Sequence, residues 1–371
     1  MTQPSARLQS IDLLRGAVMI VMALDHVRDF VHAAATLFRP EDLARTTEAI
    51  FLTRWITHFC APVFMFTAGL GAFFWLQHGR RKSDLAKFLV TRGLWLMLLE
   101  VTILRFGFLF NFRGAWLLTI LWALGLSMVT LAGLVYLPGR VLAGVSIAMI
   151  LLHNLLDGVQ AAQLGGFAWI WNVLHQQGVV GAGGVTFVVA YPLIPWPGVM
   201  AAGYCLGPVL LWDEERRRRV LVRLGIGLTL AFVVVRGVNI YGDPAPWSRQ
   251  GSAMFTVLSF LNCTKYPPSI EFLLMTLGPA IAVLGWLGGV RVGRRNPVLV
   301  FGRVPLFYFL GHIYLSHGIA VGLAKVFGVV GGFDLWVCYV VWVGVVVAMY
   351  PVCVWFAGVK ERRRDWWLGY L

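Results

Sequence analysis

Apolar runs of about twenty residues recur along the whole chain, and nothing else in the sequence constrains the fold as strongly. A bilayer core about 30 Å thick is crossed by roughly 20 apolar residues in a helix. No water is available there to satisfy the backbone, so a spanning segment must close its own hydrogen bonds. Charged residues make up 13% of the 371 positions and hydrophobic ones 59%. Soluble domains carry roughly 25% charged residues, and no stretch here is polar enough to form one. The expectation is an all-α, polytopic membrane helix bundle of about ten transmembrane helices. It is read as a single domain over 1–371, with a short basic tail at 359–371.

The spans read as 11–32, 55–78, 86–104, 115–137, 141–157, 183–211, 219–241, 270–290, 297–322 and 334–358. Residues 161–180, with Trp169, Trp171 and His175, read as a helix lying in the interface. The small residues Ala33, Ala34 and Ala35 resemble a signal-peptide cleavage site. However, Asp25, His26, Arg28 and Asp29 intervene, so the segment reads as the first helix.

Orientation follows from lysine and arginine placement. The clusters are Arg80–Lys82, Arg216–Arg219 with Arg223, Arg291 with Arg294 and Arg295, and Lys360 with Arg362–Arg364. Ten spans put all four on the side of the N terminus, which makes both termini cytoplasmic. The net charge of +14 then reflects loop bias rather than nucleic-acid binding. Seven of the eight histidines (all but His78) fall in the outer half or outer loops, which suggests a polar pocket opening outward. The five cysteines are scattered, without a disulfide framework or metal-ligand spacing, and no metal is expected.

The first helix concentrates the chemistry. Arg15 and His26 are 11 residues apart, about three turns, so they share a face roughly 16 Å apart along the axis. Met19 and Met22 lie on the same stripe. A guanidinium near one membrane face can hold phosphate, and an imidazole in the opposite half can take a proton from an acceptor. From spacing alone, Arg15 paired with Asp12 and a packed interior His26 is an equal reading.

A resemblance adds to this. Ser10-Ile11-Asp12-Leu13-Leu14-Arg15-Gly16 resembles the start of the heparan-α-glucosaminide N-acetyltransferase-like family. So do Arg54-Trp55-Ile56-Thr57-His58-Phe59-Cys60-Ala61-Pro62-Val63-Phe64, Tyr241-Gly242-Asp243-Pro244, Thr264-Lys265-Tyr266-Pro267-Pro268-Ser269 and Gly302-Arg303-Val304-Pro305-Leu306-Phe307-Tyr308. An Arg-Gly with a histidine 11 residues after the arginine is also similar to the membrane acyltransferase-3 families. The resemblance implies acyl transfer across a membrane, from cytoplasmic acetyl-CoA or another acyl-CoA to a sugar or glycan outside. In the lysosomal enzyme that names the family, the proposed catalytic histidine lies in the first luminal loop. Loop 33–54 here has no histidine, so His26 is the candidate by the acyltransferase-3 pattern.

The candidate catalytic residues are therefore His26, Asp25 and His58, with Arg15 and Arg303 for the donor. Asn239, Asp243, Lys265, Tyr266, His312 and His317 are candidates for the acceptor side. Tyr308, His312 and Ser316 recur at i,i+4 on one face of the ninth span. Asp157 and His153 read as a structural i,i+4 pair. A bacterial inner-membrane acyltransferase, with room for a homodimer, is the leading expectation. The rival is a transporter for an anionic or sugar-like solute using the same polar cavity.

Overall fold

The computed structural model describes residues 9–363 and 365–370; Arg364, in the basic tail, lies outside the described residues. The fold is mostly helical. In chain order the helices are α1 (Gln9–Val31), α2 (Glu48–Thr57), α3 (Cys60–Leu76), α4 (Lys82–Leu99), α5 (Arg105–Leu109), α6 (Ile120–Leu134), α7 (Gly139–Leu152) and α8 (Ala168–Leu174). The remainder are α9 (Trp196–Leu206), α10 (Glu214–Val238), α11 (Ala253–Leu261), α12 (Ile270–Trp286), α13 (Pro297–Arg303), α14 (Pro305–Phe327) and α15 (Leu335–Arg362). Side-chain caps set several of the starts. Ser269 accepts from the Phe272 amide at 3.0 Å ahead of α12, and Asn296 accepts from Leu299 at 3.2 Å ahead of α13, where Pro297 holds the first helical position.

Among the described residues, six helices are long and apolar enough to cross a membrane. They are Glu48–Leu76, Gly139–Leu156, Glu214–Val238, Ile270–Gly289, Pro305–Phe327 and Leu335–Arg362. The apolar windows of the second, third and sixth of these are only 22% buried. Their outward faces are continuous hydrocarbon, which a bilayer covers. The chain is a helical membrane protein. Helices α1 and α4 reach 23 and 18 residues but carry several charges each, and α6 and α9 are apolar but short.

Four boundaries depart from the sequence reading. The stretch 183–211 is not one span, because its first part is a strand and helix begins only at Trp196. The 161–180 region is a 3-10 turn (Ala161–Phe167) followed by the short α8, not a continuous interfacial helix. The 297–322 span breaks at Val304 between α13 and α14. The 115–137 span starts as a strand, with helix from Ile120. The bundle is therefore not purely α-helical. Strands β1 (Trp116–Leu118), β2 (Gly178–Ala182) and β3 (Val185–Val189) form a small sheet ordered β1-β3-β2. Strands β2 and β3 pair antiparallel across Gly183-Gly184, both at positive φ (+56° and +78°), a two-residue turn that favours glycine. The β-branched run Val185-Thr186 with Val188-Val189 is as apolar as a membrane helix, so hydropathy alone misassigned it.

Helix α1 sits at the centre, packed against α2, α3, α12, α13, α14 and α15. The α1–α13 contact is a close backbone approach. A Cβ on Gly16 would come 1.7 Å from the Val298 carbonyl oxygen, and one on Gly302 would come 1.7 Å from that of Asp12. Small residues at such crossings let helices in membranes touch closely. Gly302→Val is expected to force α13 off α1 and cost at least about 1–3 kcal/mol. Thermal melting of the detergent-purified protein checks this, and an unchanged midpoint counts against the close-approach argument.

Candidate functional site

The stripe read on α1 lines a cavity. Arg15, Met19 and Met22 face a volume of about 440 Å³ enclosed with α3, α4, α6 and the start of α14. Spacing of four and three residues keeps these side chains on one helical face. The walls are largely apolar, with two cations among them. Arg15 donates to the Thr67 carbonyl at 2.6 Å and lies 3.9 Å from Asp12. Arg92, from α4, bonds the Gly369 carbonyl, and both residues line the same cavity. No motif surrounds Arg92 in the sequence; the packing of α4 against α6 and α3 brings it to the cavity wall.

His26 lies one turn beyond Met22, past Phe309, which lines the cavity and meets the imidazole edge-on at 5.8 Å. Phe108 and His312 complete an aromatic box, with ring centres 5.5 Å and 5.1 Å from that of His26. Nδ1 of His26 is buried with no hydrogen-bond partner among the described residues. His312 is fully buried, and its Nδ1 lies 2.9 Å from the Tyr308 carbonyl. His317 is sandwiched between Phe30 (4.7 Å) and Phe110 (4.0 Å), near-parallel to both. Its Nδ1 lies 2.9 Å from the Gly107 carbonyl. The structure thus brings His26 and His312 together behind Phe309, with His317 linked to them through Phe108 and Phe30.

Asp25 is adjacent in sequence but faces another group of residues. Its carboxylate meets Arg54 at 2.6 Å and Arg28 at 3.0 Å. Arg54 also holds Glu41 at 2.7 Å, and Glu41 lies 3.6 Å from His58 Nε2. This makes a chain Asp25–Arg54–Glu41–His58, with the His58 ring against Phe272 at 5.2 Å. Burial opposes ionisation of Glu41, but His58 and Arg54 outweigh it and hold the carboxyl well below the usual carboxylate range. Glu41 comes from the loop between α1 and α2 and carried no sequence signal of its own; Arg54 stood inside a quoted motif.

The other candidates divide. Lys265 is buried, with Nζ 5.3 Å from the Tyr266 ring centre, and the Tyr266 hydroxyl donates to Tyr191 at 3.2 Å. Asp243 accepts from Ala245 and Thr264 amides and from the Thr264 and Ser269 hydroxyls, so it organises its loop. Asn239 ends α10 in the left-handed region (φ 59°) and staples Trp247 through its amide and carbonyl. Asp243, Cys263 and Glu271 come within 4.8 Å of one another. Those carboxylates already have donors, Glu271 from Arg236 at 2.7 Å. Arg303 pairs with Glu361 at 3.2 Å and is not among the residues lining the cavity. The His153–Asp157 pair is not formed. The helix tightens to a 3-10 turn at His153–Leu156, and Asp157 meets His175 at 3.0 Å instead.

Residues 7–240 match the profile of the family described as heparan-alpha-glucosaminide N-acetyltransferase, catalytic. The chain belongs to this family. The match covers well over half of the sequence and includes the cavity residues of α1, α3, α4 and α6. The helices carrying Arg303 and His312 lie beyond its end. No curated protein matches the chain.

Proposed function

We propose that this member of the N-acetyltransferase family transfers an acetyl group across a bacterial inner membrane, from acetyl-CoA to an amine or hydroxyl of a sugar. The observation that carries this is the cavity, which places Arg15 and Arg92 in the same apolar chamber as Phe309, the ring that touches His26. Such a chamber falls within the usual size of ligand pockets, roughly 300–1,000 Å³, and the sparse polar groups in it orient what binds.

The end bearing the basic clusters is the cytoplasmic one on this reading, by the bias of lysine and arginine. The two guanidinium groups hold donor phosphate or carbonyl oxygens. The thioester then lies toward His26. The acceptor nitrogen or oxygen attacks the thioester carbonyl carbon while His26 takes its proton. The carbon–sulfur bond breaks, and the departing thiolate of CoA recovers the proton from His26. Lys265, Tyr266 and His317, at the opposite end from the basic clusters, are the acceptor-side groups. The glucosamine of the family's description is the first acceptor to offer.

Purified protein is expected to bind CoA, read by calorimetry in detergent. Arg15→Gln and Arg92→Gln are each expected to weaken binding by about 10- to 100-fold, the worth of a charge-assisted hydrogen bond. Binding that neither substitution changes removes the cavity from the mechanism. No binding of CoA at all favours a transporter.

A further inference from the structure

His312 lies beside His26 with an unmatched nitrogen, and the chemistry of that nitrogen can be assigned. A carbonyl oxygen only accepts, so the contact of His312 Nδ1 with the Tyr308 carbonyl at 2.9 Å places the proton on Nδ1. In the neutral ring Nε2 is then a lone-pair acceptor. That nitrogen is buried and has no partner among the described residues, and the same is true of His26 Nδ1. The rings packed around the pair are Phe108, Phe309 and Tyr308, the last stacked on His312 at 5.2 Å. None of the three puts a polar atom within hydrogen-bond reach of either orphaned nitrogen. Two imidazoles joined by a linear N–H···N bond of roughly 2.9 Å have centres about 5 Å apart. His26 and His312 are separated by 5.1 Å, with their planes at 56°, so the two rings already stand at the spacing such a bond requires.

We infer that His312 is the positioning residue of the base: its Nε2 accepts the Nδ1 proton of His26. This fixes the tautomer of His26 and leaves the His26 Nε2 lone pair for the acceptor's proton. His312 thus does for His26 what a buried carboxylate does for the histidine of a hydrolytic triad, at no cost in net charge inside the bundle. The inference rests on the reading of His26 as the base.

The test uses the full-length protein, acetyl-CoA and glucosamine, with free thiol as the readout. His312→Phe keeps an aromatic ring and removes the acceptor; His312→Gln supplies a carbonyl oxygen in its place. The expected result for His312→Phe is a fall in kcat of about 10- to 100-fold, with the donor KM within about twofold of the parent. His312→Gln is expected to recover kcat to within about fivefold of the parent. A glutamine variant no better than the phenylalanine one shows a packing role and overturns the inference. So does a raised donor KM at unchanged kcat, which marks a substrate contact. His26→Ala is assayed alongside to separate the two claims. If it retains transfer, the reading of the base falls, and this inference with it. If it is inactive while His312→Phe turns over like the parent, only the inference about His312 falls.

Discussion

Replacing His26 by alanine is expected to lower acetyl transfer by about 10²- to 10⁴-fold, the usual contribution of a general base. The reason is its position. Arg15, Met19 and Met22 line the cavity, and His26 continues their stripe by one turn, touching Phe309 of the cavity wall. Its ring packs against Phe108, Phe309 and His312, and among the described residues its Nδ1 takes part in no hydrogen bond. The substitution therefore removes a reactive group without cutting a structural bond. CoA binding is expected to stay within about twofold of the parent, because Arg15, the cation proposed to hold the donor from α1, lies about three turns away along that helix. The two measurements belong together. Lost transfer with retained CoA binding supports a role in chemistry, and retained transfer removes His26 from it. If His26 carries the acetyl group transiently, labelled acetyl-CoA leaves label on the parent protein and none on His26→Ala. If it acts only as a base, neither protein is labelled.

How much of this was legible in advance depends on the range over which each feature is encoded. The α1 stripe was legible because periodicity within one helix is a local property. Arg15 and His26 could be placed on a common face before any tertiary contact was known. The cavity could not, because Arg92 reaches it only through the packing of α4. The same limit hid the His26–His312 approach, which joins residues 286 positions apart. It also hid the Asp25–Arg54–Glu41–His58 chain, whose members come from α1, α2, the α1–α2 loop and the α2–α3 junction. Asp25 and His58, read as companions of His26, belong to that ionic chain instead of the aromatic box. The sheet was missed for another reason. A Val-rich segment satisfies a hydropathy scan as well as a helix does, and the Gly183-Gly184 turn ahead of it is what distinguishes it. Arg303 illustrates how a residue can stand inside a quoted motif and still lie away from the cavity. Val304 breaks the helix just after it, and its guanidinium turns to Glu361.

The second large effect is expected on stability. Arg236 lies in the last turn of α10 and is 1% exposed. Its guanidinium donates to the carbonyls of Ala245, Ser259, Phe260 and Asn262 and to Glu271 of α12 at 2.7 Å. One side chain thus meets two loop carbonyls, two carbonyls at the end of α11 and a buried carboxylate at once, and fastens the 239–262 segment to both helices. Arg236→Met leaves all five acceptors without their donor and Glu271 as an unpaired buried charge. Removing one partner of such a pair typically costs about 3–5 kcal/mol, which corresponds to a fall in melting temperature of roughly 4–6 °C for a chain of this size. Adding Glu271→Leu to Arg236→Met is expected to recover part of the loss, because it removes the stranded charge. Recovery stays incomplete because the four carbonyls have still lost the guanidinium donor. Thermal unfolding of the three proteins in the same detergent separates the contributions. If the double variant melts with the parent, the carboxylate was the whole of the effect and the carbonyl cage contributes nothing. If it melts with the single variant, the loop carbonyls carry the stability, and Arg236 is above all the fastener of the loop that leads to Lys265 and Tyr266.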